Sequence, residues 1–394
     1  MIGPGTTMMP SSWAFHQPVE IHWGADALDR LGTLPFLNPL IVTTKGAVAR
    51  GTAARVTANI AASEPLFYSA VKPNPDLGDL DDAARALATH PIDAIIGLGG
   101  GSVLDTAKVL SVLLASPATF SLAGHFRDGL ALPDCRPLPV IAIPTTAGTG
   151  SEVTPFATVW DSIHNRKFSL ASGGMFPRLA LLDPSLTHSL PWAETLPSGL
   201  DALCQALESI WNRFATPLTI GIAQQAASLA WHSLRHGTAI LESPALRSDL
   251  MQASLLAGIA ISQTRTALCH SISYPITARF AVPHGIACAV WMPQVLRFNL
   301  PADDGRLQQT ARILGFQSAD AFAHAIDDLL VSLGAWDAFH SLVPDRTALT
   351  PHLNEMLTPQ RADNNLRPVT IAQVEAIIQD PSDLRIGSVR SVRS

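Results

Sequence analysis

The stretch CHSISYPITARFAVPHG, Cys269 to Gly285, sets two histidines, His270 and His284, fourteen residues apart, with Tyr274 one helical turn after the first. Upstream, GLDALCQALES holds Asp201 and Gln205 four residues apart. On a helix that spacing puts both side chains on one face. One carboxylate, one amide and two imidazoles from three segments can converge on a divalent cation. Spacing alone does not separate such a site from scattered buried polar residues in an Ala/Leu-rich core.

A second chemistry is written in glycine. Gly99, Gly100, Gly101 and Ser102 follow the apolar run IDAIIGL and open a helical stretch. Glycines there let backbone N–H groups approach a pyrophosphate, and a helix N-terminus favours negative charge. The cluster is not the spaced G-x-G-x-x-G fingerprint, and alone it is also compatible with a tight turn. PTTAGTGSE, Pro144 to Glu152, adds Thr145, Thr146 and Thr149 after the next strand. Two such loops at neighbouring strand ends mark a nucleotide site far better than one. Asp105, one turn into the first helix, is expected either to reach a nicotinamide amide or ribose, or to favour the helix N-terminus electrostatically.

These groups need elements to position them. Residues 1–190 alternate short β-branched runs with helical stretches, the pattern of an α/β dinucleotide-binding domain on a doubly wound sheet. PLIVTTKGAVARGTAARV and IDAIIGLGGGSVLDTAKVLSVLLA each read as strand, turn and helix, and LPVIAIPTTAGTGSE as a third strand entering a loop. Residues 191–394 read as all-helical, with apolar residues at helical spacing in GLDALCQALESIWNRF, TIGIAQQAASLAWHSLRHG, SDLMQASLLAGIAISQTRTALCHSISY, HGIACAVWMPQVLRFN and SADAFAHAIDDLLVSLG. Ser198 is the expected cap of the Asp201 helix. The C-terminal DLRIGSVRSVRS has little to bury and is expected to fray.

Composition narrows the function classes. A chain of 394 residues with 47% hydrophobic content can fill two cores. A net charge of −6 gives no general attraction to nucleic acid or an anionic membrane, so an anionic partner must be met locally. The four cysteines, Cys135, Cys204, Cys269 and Cys288, are too scattered for a disulfide framework and read as small buried thiols. The first residues lack a basic segment followed by an apolar run, and no later stretch is long enough to span a bilayer, so a cytoplasmic location is expected.

GGGSVLDTAK, PTTAGTGSEVT, LLDPSLT, GLDALCQALES and HSISYPITARFAVPHG, in this order, resemble the iron-dependent, group III alcohol dehydrogenase family over nearly the whole chain. The resemblance implies a dehydroquinate synthase-like fold, in which a nucleotide-binding α/β domain and a helical domain hold nicotinamide and a divalent metal, Fe2+ or Zn2+, between them. It implies metal ligands at Asp201, His270 and His284. The family usually has a histidine at the position of Gln205 and commonly one at Tyr274. It places a lysine near the cofactor at Lys167, and often an aspartate where this chain has Thr44. With Lys45 beside it, Thr44 removes the charge that repels a 2′-phosphate, so NADPH is expected to serve at least as well as NADH. A homodimer is also implied.

ALESIWNRFATPLT and HSISYPITARFAVPHG are similar to one branch, the phosphonoacetaldehyde reductases, which implies reduction of phosphonoacetaldehyde to 2-hydroxyethylphosphonate in phosphonate biosynthesis. A phosphonate dianion asks for arginine or lysine. Arg213, Arg265 and Arg279 are the candidates within reach of the motif segments. His270 would act at the catalytic centre, and Tyr274 or a water would deliver the proton. Alternatives are a general short-chain alcohol dehydrogenase, a metal-independent reductase, and a non-catalytic nucleotide-binding protein.

Overall fold

The structure, a computed structural model, describes residues 12–60, 65–164 and 166–380. It divides into two compact units. One spans Gln17–Leu190; the other holds the described residues from Pro191 onward with those before Gln17. The expected fraying of the C-terminal tail lies outside the described residues.

In the Gln17–Leu190 unit eight strands form: β1 (Glu20–Trp23), β2 (Pro39–Val42), β3 (Leu66–Tyr68), β4 (Ala94–Gly99), β5 (Val140–Pro144), β6 (Phe156–Asp161), β7 (Arg166–Ala171) and β8 (Leu179–Leu182). Six of them pair in parallel in the order β1-β8-β5-β4-β2-β3, while β6 and β7 make a separate antiparallel ribbon. Every residue of β2, β4 and β5 is buried. A parallel sheet covered on both faces requires such continuous apolar runs. Alternate residues divide between the two faces. Leu40, Val42 and Ile95 pack with Val103, Ala107 and Leu110 of the Gly101–Leu113 helix; Ile41, Ile96 and Leu98 pack with Leu28, Leu31 and Val56 on the other side. From β2 the chain steps outward to β3, then returns past β2 to β4 and β5. The carboxyl ends of β2 and β4 therefore flank the point where strand order reverses, where ligands of open α/β sheets bind.

The unit from Pro191 onward is built from helices. Several of their ends differ from those expected from the sequence. The Asp201 helix runs from Trp192 to Ile210, so Ser198 lies inside it and returns its hydroxyl to the Glu194 carbonyl (2.7 Å) rather than capping the helix. The long segment through Arg265 is two helices, Pro244–Thr264 and Leu268–Phe280. Between them Arg265 turns to φ +63°, and Glu208 accepts hydrogen bonds from the backbone N–H groups of Ala267 (2.7 Å) and His270 (3.1 Å). A buried carboxylate at a helix N-terminus both satisfies its orphan donors and complements its dipole, which makes a new start favourable there. HGIACAVWMPQVLRFN likewise divides into His284–Ala289 and Met292–Asn299, with Pro293 in the first turn of the second helix. No helix among the described residues is long and apolar enough to cross a membrane.

Candidate functional site

Three helices bring the candidate metal-binding residues together. Asp201 and Gln205 project from the Trp192–Ile210 helix, His270 stands in the first turn of Leu268–Phe280, and His284 opens His284–Ala289. His270 Nε2 lies 3.2 Å from Asp201 Oδ1, and the His270 and His284 ring centroids are 5.3 Å apart. One donor atom from each of Asp201, His270, His284 and Cys288 falls within 4.8 Å of the others. Gln205 gives its amide N–H to Asp201 Oδ2 (3.0 Å), and its carbonyl oxygen is buried without a hydrogen-bond partner. Burying a carboxylate beside two imidazoles and an orphan carbonyl is costly unless a cation compensates. The donor set therefore fits a divalent ion.

The support behind the histidine was not anticipated from sequence. Glu208, fully buried, holds His270 Nδ1 at 2.7 Å. A carboxylate accepting from Nδ1–H fixes the tautomer and leaves the Nε2 lone pair for a metal ion, the usual support of a metal-ligating histidine. Burial penalises a charge on His270, yet Cys288, Glu208 and Asp201 together hold its pKa well above that of a free imidazole. Cys204 and Cys269 stand against Glu208, all three buried. Burial pushes the Cys269 thiol up to about 12 and raises Cys204 and Cys288 well above the ordinary thiol range. The reading of these three cysteines as buried holds, but Cys288 also faces the imidazole of His284, at 3.8 and 3.7 Å from its two ring nitrogens. Two signals were present in the sequence: Glu208 follows Asp201 by seven residues and Cys288 follows His284 by four, both same-face spacings on a helix.

Tyr274 stacks on His284 with centroids 6.3 Å apart, and Arg361 Nε donates to its hydroxyl (3.2 Å). Arg265 lies in the same neighbourhood. Burial, with the charge of Arg361, pulls its pKa down to about 10, while Tyr274 works in the opposite sense. Asn364 ties the Arg361 turn to the Arg265 turn by donating to the carbonyls of Thr266 (2.9 Å) and Gln360 (2.8 Å). The other two candidate arginines are elsewhere engaged. Arg279 is exposed and paired bidentately with Glu355 (2.9–3.1 Å), and Arg213 is exposed over the ring of Phe214. Nothing in the sequence pointed to Arg361, 87 residues beyond Tyr274.

In the Gln17–Leu190 unit the two glycine-containing loops meet. Thr145 N donates to the Gly99 carbonyl (3.0 Å). A side chain on Gly100 would come within 3.0 Å of Thr146, and one on Gly101 within 2.5 Å of Thr149. The loops can sit this close only with glycine on one side. Ser102 lies in the first turn of the Gly101–Leu113 helix. Asp105 serves the domain's own frame: its two oxygens accept from Ser151 Oγ (2.6 Å) and Thr158 N (2.8 Å). Thr44, just past β2, caps a short helix by accepting from Ala47 N (3.1 Å). Lys167 lies on β7, its ammonium 5.6 Å from the Trp160 ring centroid, on the ribbon rather than the parallel sheet.

Comparison with known proteins decides the family. Residues 18–184 match iron-containing alcohol dehydrogenase, and residues 195–381 match the C-terminal part of the Fe-containing alcohol dehydrogenase family. The chain belongs to the iron-containing alcohol dehydrogenase family. Among curated members it is 38% identical over 226 residues to the phosphonoacetaldehyde reductase of Streptomyces viridochromogenes, covering 56% of this chain and 57% of that protein. It is 35% identical over 262 residues to the probable alcohol dehydrogenase EutG of Escherichia coli, covering 66% of this chain and 65% of that one. Both matches span less than two thirds of the relative. The sulfoacetaldehyde reductase of Bifidobacterium kashiwanohense, solved in complex with NAD+, superposes with a TM-score of 0.86 at 31% identity, covering 94% of this chain and 98% of that one. The α/β and helical units expected from the sequence are thus those of an iron-type alcohol dehydrogenase.

Proposed function

We propose that this family member reduces phosphonoacetaldehyde to 2-hydroxyethylphosphonate, using a reduced nicotinamide cofactor and a divalent metal. The observation that carries the reading is the Arg265, Arg361 and Tyr274 group beside His284. Two partly desolvated guanidinium groups of like charge repel each other, and an anion placed between them relieves that repulsion with charge-assisted hydrogen bonds. The similarity to a phosphonoacetaldehyde reductase and to a sulfoacetaldehyde reductase supports a two-carbon aldehyde with an anionic head. The engagement of Arg279 with Glu355 and the exposure of Arg213 favour Arg265 and Arg361 over them.

In this reading Asp201, His270 and His284 hold the ion, with Gln205 fixing the Asp201 carboxylate and Glu208 the His270 ring. When bound, the nicotinamide supplies the hydride and the ion the Lewis acid that polarises the carbonyl. Arg265 and Arg361 orient the substrate by its head group. Tyr274, its hydroxyl held by a hydrogen bond from Arg361, can give its proton to the oxygen of the new alcohol. The Gly99–Ser102 and Thr145–Thr149 loops take the cofactor pyrophosphate at the reversal point of the sheet.

The test is initial-rate NADPH oxidation by metal-replete protein with phosphonoacetaldehyde, sulfoacetaldehyde and propanal. A kcat/KM for phosphonoacetaldehyde at least about a hundredfold above propanal, roughly 2.7 kcal/mol in the transition state, is expected. Arg361→Met should lower kcat/KM for phosphonoacetaldehyde far more than for propanal, whose turnover should fall only by what the lost hydrogen bond to Tyr274 contributes. Equal rates on propanal would replace the reading with a general short-chain aldehyde reductase, the direction in which the similarity to EutG points. A preference for sulfoacetaldehyde would keep the anion site and change its substrate.

A further inference from the structure

We propose that Cys288 is a metal ligand in this chain, completing an Asp201, His270, His284 and Cys288 donor set, and that Gln205 serves as the hydrogen-bond donor holding Asp201. Gln205 occupies the position where the family usually carries its fourth, histidine ligand. Gln205 turns its NH2 toward Asp201 Oδ2, at 3.0 Å, with the amide donating and the carboxylate oxygen accepting. Its neutral carbonyl is then left as the weakest of the nearby donors for a transition metal.

The sulfur is placed where a ligand belongs. Zinc bonds of about 2.3 Å to sulfur and about 2.0–2.1 Å to nitrogen or oxygen put tetrahedral neighbours roughly 3.6 Å (S to N) and 3.4 Å (N to O) apart. Cys288 Sγ stands 3.7 and 3.8 Å from the His284 nitrogens, and His270 Nε2 stands 3.2 Å from Asp201 Oδ1. All four donors fit within 4.8 Å. The spacing is built in: His284 and Cys288 lie four apart on one short helix, so both face the same point. Gly285, between them, lets that helix seat against the backbone of the Asp201 helix.

Ligation converts the Cys288 thiol to thiolate: the S–H proton leaves to solvent and a metal–sulfur bond forms. One carboxylate and one thiolate with two neutral imidazoles balance a divalent charge, whereas one carboxylate with three imidazoles would leave a net positive charge. The thiolate also shifts preference from Fe2+ toward the softer-binding Zn2+. Ligation by Cys288 does not depend on which aldehyde is reduced, because the measurement that tests it uses no substrate.

The protein is loaded with Co2+ and its absorption spectrum recorded. The expected result is a thiolate-to-cobalt charge-transfer band in the near ultraviolet together with visible ligand-field bands. Cys288→Ser should lose the charge-transfer band and keep the visible ones. Cys204→Ser, which removes the neighbouring thiol, should keep both. Zinc retention against a chelator should fall in Cys288→Ser by more than the roughly 10–100-fold loss expected from removing a group that merely holds a ligand in place. Ligand-field bands without a charge-transfer band in the unaltered protein would overturn the assignment while leaving a metal site intact. So would a band that survives in Cys288→Ser. Failure to bind cobalt at all would overturn both this assignment and the metal-dependent reading above.

Discussion

Thr44 caps the helix after β2 through its side-chain oxygen, and aspartate is at least as good an N-cap as threonine. Thr44→Asp should therefore leave the fold intact and change only the charge just past β2, where the proposed cofactor site lies. The ratio of kcat/KM for NADPH to that for NADH is expected to fall by about tenfold or more, one charge repulsion of roughly 1.4 kcal/mol; an unchanged ratio would remove Thr44 from the cofactor site. Glu152 supports a prediction of a different kind. It is buried in the second loop, and burial pushes its pKa to about 7, against weaker lowering by a backbone hydrogen bond and by Lys108. Between the unfolded value of 4.5 and about 7 the folded protein keeps a proton that the unfolded chain has released. Stability then falls as pH rises through that window, by an amount on the order of 3 kcal/mol. Glu152→Gln should flatten the decline of Tm between about pH 5 and 8, measured by thermal unfolding in a series of buffers, and a decline that is unchanged would contradict the burial argument.

At the scale of elements, what the sequence disclosed and what it hid have physical causes. Strands β2, β4 and β5 were legible because their residues are apolar without interruption, and the two loops because glycine and threonine cluster at their ends. The helix break at Arg265 was not legible. It is made by Glu208, which comes from another helix and takes the N–H groups of Ala267 and His270, and no local propensity records that contact. Arg361 was missed for the same reason: its place beside Tyr274 comes from asparagine bonds between distant turns. Gly285 shows how tightly elements are joined at the site. A Cβ there would lie 1.8 Å from the Pro197 carbonyl oxygen, backbone that cannot swing away. Gly285→Ala should cost about 1–3 kcal/mol of stability by overpacking and lower metal content as well. Gly221→Ala is the matched control. Gly221 is exposed on the Pro217–Leu234 helix with nothing within 4 Å of a new Cβ, so the substitution should stabilise by about 0.5–1 kcal/mol. Equal effects of the two on Tm would refute the close-approach argument.

For the whole molecule, the division of labour follows the division of the chain. The glycine loops, Thr44 and Glu152 lie in Gln17–Leu190, whereas the proposed metal donors, Tyr274 and both proposed substrate arginines lie after Pro191. A net charge of −6 gives an anionic substrate no general attraction, so selectivity must come from the local pair, Arg265 and Arg361. Ligands that bind only the folded state stabilise what they touch, by about 2.7 kcal/mol at a hundredfold excess over Kd. Chelation should therefore speed amide exchange in Trp192–Ile210, Leu268–Phe280 and His284–Ala289, the three helices that supply the donors, while leaving β2, β4 and β5 as they were. NADPH should do the converse, slowing exchange at the ends of β2 and β4 and in the Gly101–Leu113 helix. Hydrogen exchange read by mass spectrometry on the full chain separates the two patterns. Uniform slowing everywhere by either ligand would mean that the two units open together, and no change in the donor helices on chelation would mean that no ion holds them.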